Sequence, residues 1–113
     1  VANLAGKRCK PCEGGVTPLN ENQARKQMSQ IDAAWMLAAD GKTIMREFEF
    51  SSFHRTMAFV NAVAWIATVE GHHPEILIRY SSCRVSYRTT AIDGLSENDF
   101  ICAAKIDQLV TSP

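Results

Sequence analysis

The stretch from Ser52 to Pro74 constrains the fold more than any other. Ser52 stands where a helix N-cap belongs, no glycine or proline interrupts the next eighteen residues, and Gly71 followed by Pro74 ends the run. The pattern predicts a long helix over residues 52–70. Its apolar side chains are not confined to one stripe. Phe53, Met57, Val60 and Ala64 follow one face, Phe59, Val63 and Ile66 extend it, and Ala58, Ala62 and Trp65 lie largely elsewhere. A helix apolar around most of its circumference is buried on more than one side. In a domain this small the second side is expected to meet another copy of the chain, in preference to the Ala-rich positions being tolerant surface. The expectation is a homo-oligomer, a dimer or tetramer through helix 52–70. The uncharged part, Thr56 to Val69, is 14 residues long, short of the roughly 20 needed to span a bilayer, so no membrane association is expected.

Strand pairs flank this helix. Upstream, Ala34–Ala39 and Lys42–Phe50 surround Asp40-Gly41, which reads as a two-residue hairpin turn because both positions tolerate positive φ. Phe48 and Phe50 share one face of the second arm while Glu47 and Glu49 share the other, the alternation of a half-buried strand. Downstream, Ile76–Tyr80 and Arg84–Thr89 read as two more strands around Ser81-Ser82, with a loop at Ala91–Gly94. Asn20 with Gln23 makes a capping box for a first helix ending near Gln30, and Ser96 with Asp99 a weaker one for a last helix. That last helix carries Phe100, Ile101, Ala104 and Leu109 among polar Lys105, Asp107 and Gln108. Residues 1–18 hold Gly6, Pro11, Gly14, Gly15 and Pro18 and read as an irregular arm. The order is α-β-β-α-β-β-α within one domain, 1–113. Its class is α+β, a four-stranded antiparallel sheet with helices packed on one face.

Composition narrows the function. Twelve Lys+Arg balance twelve Asp+Glu, which argues against nucleic-acid binding by bulk electrostatics. No basic segment followed by an apolar run opens the chain, so a cytoplasmic domain is expected. Four cysteines are too few and scattered for a disulfide scaffold. Cys9-Lys10-Pro11-Cys12 has the spacing of a redox pair or half a zinc site. It lacks a preceding strand for the first, and only His72 and His73 offer ligands for the second. A local clasp for the Gly14-Gly15 loop, or plain thiols, fits better, and no metal is expected.

Of three histidines, two are adjacent, in Gly71-His72-His73-Pro74, just past the end of the long helix. The helix dipole there favours an imidazolium, by about 0.3–1 kcal/mol when exposed. Histidine exchanges a proton near neutral pH. Pro74 biases His73 toward extended backbone, and neighbours on extended chain point opposite ways, so the two rings are expected to divide labour. Two polar residues filling a turn is the plainer alternative.

Taken with these residues, several dispersed blocks resemble the pterin-4a-carbinolamine dehydratases. They are Glu70-Gly-His-His-Pro-Glu75 with Tyr80, Gly94-Leu-Ser-Glu-Asn-Asp-Phe100, Ala103-Ala-Lys-Ile-Asp107, Trp35, Phe59-Val-Asn-Ala-Val63, and the arm Cys9–Gly15 with Pro18-Leu19. The resemblance implies dehydration of a 4a-hydroxytetrahydropterin to the quinonoid dihydropterin without metal or organic cofactor. It also implies oligomers held by the long helix. His72 and His73 match the family's paired histidines, His72 for acid/base work and His73 for binding the pterin or sharing the proton transfer. Trp35, Pro74, Glu75 and Thr90 fall in the implied pterin-binding set, with core packing the equal alternative for Trp35.

The chain departs from the family at two functional positions. Thr90 occupies the place of a third histidine, and a threonine hydroxyl is neither acid nor base near pH 7. Thr68 stands where an acidic residue is usual, four positions before His72. Glu70 is the nearest substitute, although helical geometry turns it about 200° from Thr68. These departures admit a second expectation, carried by the resemblance alone: a catalytically inactive relative acting as a Rubisco assembly factor in carboxysome-containing bacteria, with Rubisco as protein client.

Overall fold

The caps read from the sequence do bound the long helix. In a computed structural model, which describes residues 3–11 and 16–110, Ser52 Oγ accepts the Arg55 N–H and the helix runs Phe53–Glu70. Gly71 then turns left-handed, at φ 66°, a conformation that costs a residue bearing Cβ. The N–H groups of both Gly71 and His72 reach the Ala67 carbonyl, so the corner leaving the helix is pinned twice.

The elements in chain order are α1 (Glu21–Met28), β1 (Met36–Leu37), β2 (Ile44–Glu49), α2 (Phe53–Glu70), β3 (Glu75–Ile78), β4 (Ser82–Tyr87) and α3 (Glu97–Val110). Short 3-10 turns occupy Leu4–Gly6 and Thr90–Ile92. The strands form one antiparallel sheet in the order β1-β2-β4-β3, so the second strand of each hairpin is central. β2 and β4 pair from Ile44 opposite Tyr87 to Glu49 opposite Ser82. Ile44, Phe48, Cys83, Val85 and Tyr87 are buried on one face. On the other, Glu47 and Arg84 pair across the strands at 3.4 Å.

α2 and α3 cover the apolar face, and α1 packs on α3. From α2 the buried set is Thr56, Phe59, Val60, Val63 and Ala67, a single stripe of helical period. Phe53 and Ala64, expected on the core face, are exposed, as are Ala58, Trp65 and Val69. Thr56 takes the place that hydropathy denies it because its hydroxyl meets the Ser52 and Tyr80 carbonyls. Leu109 also lies outside the core: α3 is buried from Asn98 to Ala104 and at Ile106, and its last turn faces out. No helix among the described residues is long and apolar enough to cross a membrane.

Both hairpins differ from expectation in their turns. Asp40 and Gly41 do not form a two-residue turn, since only Gly41 has positive φ, at 72°. Ala38 N–H meets the Thr43 carbonyl and Asp40 Oδ1 accepts from Lys42, giving a longer loop that shortens β1 to two residues. The downstream hairpin turns at Tyr80-Ser81, closed by Arg79 N–H to the Ser82 carbonyl, because Ser82 already belongs to β4. α1 has its full Asn20–Gln23 capping box and stops at Met28, where Ser29 and Gln30 form a closing turn.

The N-terminal segment is not a loose arm. Leu4 is buried, Lys105 Nζ donates to the Ala5 carbonyl, and Cys9 N–H donates to Glu70 Oε1. The Asn98 amide grips Lys10 from both sides, accepting its N–H at 3.0 Å and donating to its carbonyl at 2.6 Å. Residues 3–11 therefore lie along the end of α2 and along α3 from Glu97 to Lys105. The expected clasp between Cys9 and Cys12 around Gly14-Gly15 falls outside the described residues. Cys9 is a free thiol whose Sγ lies 3.6 Å from Cys102 Sγ.

Candidate active site

His72 leaves the pinned corner pointing inward. Its Nε2 lies 2.6 Å from Oδ1 of Asp99, in the first turn of α3, and its ring stacks on Tyr87 with centroids 5.2 Å apart. Asp99 is wholly buried. Its other oxygen accepts the Thr89 hydroxyl at 2.8 Å and the Ser96 N–H at 3.0 Å. A carboxylate already accepting from two donors accepts from His72 too. Nε2 therefore carries hydrogen, leaving Nδ1 as the lone-pair nitrogen of the neutral ring and the second donor of the cation. Nδ1 has no partner among the described residues.

Burial, the largest single influence on His72, works against its cation, but the hydrogen bond to Asp99 and the carboxylate's charge outweigh it. The ring therefore titrates above the ordinary histidine value. Tyr87 fixes the ring from behind and donates its hydroxyl to the His72 carbonyl; burial, its main influence, pushes the phenol up, so it stays a donor.

His72 opens on a cleft of about 270 Å³, near the small end of ligand pockets. One wall is the corner, Gly71 to His73, and a second is the chain leaving β4, Arg88 to Ala91. Lys10 and Asn98 close the third. Among the described residues no carboxylate side chain lines it. A larger hollow of about 440 Å³ lies between α1 and the β1–β2 turn, but its ionisable side chains, Glu21 and Arg25, are paired with each other.

Of the site residues expected from sequence, the structure brings His72, His73 and Thr90 to this one cleft. The two histidines share it while differing in depth: the His72 side chain is 12% exposed, whereas His73 is an exposed residue with no polar partner among the described residues. Thr89 and Thr90 split the same way, Thr89 inward to Asp99 and Thr90 outward to the cleft wall. Trp35, Pro74 and Glu75 do not line it. Trp35 is buried against Phe48 and donates its indole N–H to Asp107 at 2.7 Å, and Glu75 opens β3 opposite Ser86. Glu70 does not stand in for the missing acid beside Thr68. Its carboxylate holds the Cys9 N–H and Arg8 Nε, with Lys105 nearby, so it tethers the N-terminal segment. Thr68 bonds back to the Ala64 carbonyl within α2.

From the sequence Asp99 reads only as a cap, and Lys10, Arg88 and Asn98 carry no local signal of a place in the site. The signal for Asp99 was its type and place: a carboxylate in the first turn of a helix whose flanks, Phe100 to Ala104, are all small or apolar has to bury its charge against a partner. Among the described residues no group of three His, Cys, Asp or Glu side chains could hold a metal ion.

A helix-capped corner presents a carboxylate-bound histidine to a small polar cleft on a four-stranded α+β scaffold, an arrangement that can exchange a proton with a small ligand. The chain belongs to the pterin 4 alpha carbinolamine dehydratase family, whose model matches residues 17–109. It is 52% identical over 112 residues to a relative in Nitrosomonas eutropha, covering 99% of this chain and 97% of the other. It is 55% identical over 109 residues to one in Nitrosospira multiformis, covering 96% and 94%. Both carry provisional pterin-4-alpha-carbinolamine dehydratase names. Among solved structures it is similar to a transcriptional coactivator/pterin dehydratase from Brucella melitensis, with TM-score 0.79, 25% identity, and 84% of this chain and 100% of the other covered. It is also similar to a pterin dehydratase-like protein identified as a RuBisCO assembly factor in the alpha-carboxysome, with TM-score 0.61, 25% identity and coverage of 71% and 93%.

Proposed function

We propose that this protein dehydrates a 4a-hydroxytetrahydropterin to the quinonoid dihydropterin by histidine acid/base chemistry, as a cytoplasmic homo-oligomer. The observation carrying the reading is the Asp99–His72 pair at the wall of a cleft that also holds His73. The reaction needs one proton delivered to the leaving hydroxyl and one taken from a ring nitrogen as its lone pair expels water. The His72 cation donates from Nδ1 to the hydroxyl, which leaves as water, while Asp99 stabilises the cation before transfer and holds the ring afterwards. His73, unencumbered, accepts the ring-nitrogen proton. Thr90 contributes a hydrogen bond and no proton chemistry, so the rate is expected to fall below that of a site with three histidines. Purified protein should speed the loss of carbinolamine absorbance above the buffer rate. His72→Ala should remove most of that acceleration, on the order of 10²- to 10⁴-fold. A wild-type rate equal to buffer rejects the reading.

A second reading rests on Thr90 and on the similarity to the assembly factor: a protein client, Rubisco, served by a pocket shell no longer used for chemistry. Thr90→His separates the two. Under the enzyme reading it raises an existing rate. Under the assembly reading it creates activity where wild type has none and leaves the cellular role unimproved, and unchanged Rubisco yield on deletion of the protein would exclude that role.

A further inference from the structure

The proposed reaction needs proton donors and acceptors but no fixed positive charge, because the pterin ring is neutral. The cleft nevertheless carries fixed positive charge. Lys10 lines it, and its ammonium has no partner among the described residues. Arg88 lines it too, and its Asp93 partner is shared with Lys42, one carboxylate between two cations. The His72–Asp99 pair adds no net charge when His72 is protonated. Lys10 therefore brings to the cleft a positive charge that no described acid answers, and Arg88 one that Asp93 answers only in part, in a chain whose formal charge is zero. Lys10 is also placed there deliberately. Asn98, 8% exposed, devotes its whole amide to the Lys10 backbone, and Glu70 holds the preceding residue through its N–H.

We infer that Lys10, positioned by Asn98, is a specificity-determining residue that binds an anionic group, phosphate or carboxylate, on the side chain of the pterin. Proton chemistry occupies the histidine wall, and Lys10 lines the same cleft, within reach of the substituent of a bicyclic ring bound at His72 and His73. An exposed ammonium without a partner among the described residues needs little reorganisation to meet an anion, and Arg88 can share the charge because Asp93 is itself exposed. The inference rests on the pterin reading and names its substrate class.

The test is fluorescence binding of three pterins: one with a neutral trihydroxypropyl side chain, its terminal phosphate ester, and pteroylglutamate. Wild type should bind the phosphate ester or the glutamate conjugate about tenfold or more tightly than the neutral pterin, as expected for a charge-assisted hydrogen bond. Which of the two is preferred identifies the anion. The ratio should shrink in rising salt, collapse toward one in Lys10→Gln, and be restored by Lys10→Arg. Asn98→Ala, which frees the Lys10 backbone, should reduce the ratio less than Lys10→Gln does. Equal affinity of wild type for all three, or a preference that survives in Lys10→Gln, overturns the assignment of Lys10 while leaving the pterin reading standing. Failure to bind any pterin removes both.

Discussion

Two carboxylates on α3, Asp99 in its first turn and Asp107 in its last, each gather a cation, a second side-chain donor or donors and a backbone N–H. Asp99 takes His72, Thr89 and the Ser96 N–H. Asp107 takes Arg46, the Trp35 indole and the Asp32 N–H. The arrangements are alike, yet only one offers chemistry. Arginine keeps its charge at every pH a protein meets, so the Asp107 cluster is a permanent cross-link between the segment before β1, β2 and α3. Histidine gives its proton up within the physiological range, and the Asp99 cluster opens on a cleft. The difference between a strut and a reactive group lies in whether the partner's charge is conditional and whether a ligand can reach it.

The contrast breaks most visibly at Asp99. Asp99→Asn should lower turnover on the order of 10²-fold or more, and move the alkaline limb of the rate profile to lower pH, because the carboxylate that raises the His72 pKa is gone. A rate–pH profile of the two proteins checks it; an unshifted limb means that His72 is not the acid.

Asp107→Asn should do the reverse. Removing one member of a largely buried ion pair costs about 3 kcal/mol, read as a lower denaturant midpoint, while turnover of the folded fraction stays near wild type. Lost turnover at unchanged stability would show that the two clusters are not separable.

A third measurement follows stability against pH. The folded His72 pKa lies above the unfolded value of about 6.5, so the pair contributes fully below that value and loses its contribution as pH rises through the folded one. Wild type should therefore lose stability relative to His72→Gln between neutral and mildly alkaline pH. A difference that stays constant across that range would mean His72 is held neutral throughout.

The smallest effect is expected from Trp35→Phe, which deletes the indole N–H at Asp107. It should cost about 1.5–3 kcal/mol, the range for a hydrogen bond to a charged group, and leave pterin affinity unaltered. Weakened pterin binding at unchanged stability would return Trp35 to the binding set and blur the contrast.

What the sequence disclosed follows from how local its signals are. Caps, turns and alternation are written within a few residues, so the α-β-β-α-β-β-α order and the limits of α2 could be read directly. The histidine pair was legible for the same reason. Its partner was not, because Asp99 lies 27 residues further on and has to be folded against His72 before its role exists. Lys10 and Asn98, 88 residues apart, were out of reach of any spacing argument. The hairpin turns failed differently: Asp40-Gly41 suits several loop lengths, and the Ala38–Thr43 hydrogen bond chose the longer one. Ala64 is exposed while Thr56 is buried, because burial of Thr56 depends on a carbonyl at Tyr80, in the turn of the downstream hairpin.

Lys10 meeting Asn98 across 88 residues also has a temporal meaning. A ribosome delivers residues 3–11 well before α3, and they wait for that helix before finding their seat. Until α3 is made, His72 lacks Asp99 and Lys10 lacks Asn98, so the cleft has only two of its three walls. The His72–Asp99 pair and the seat of Lys10 thus come into being together, when α3 folds onto the rest of the chain.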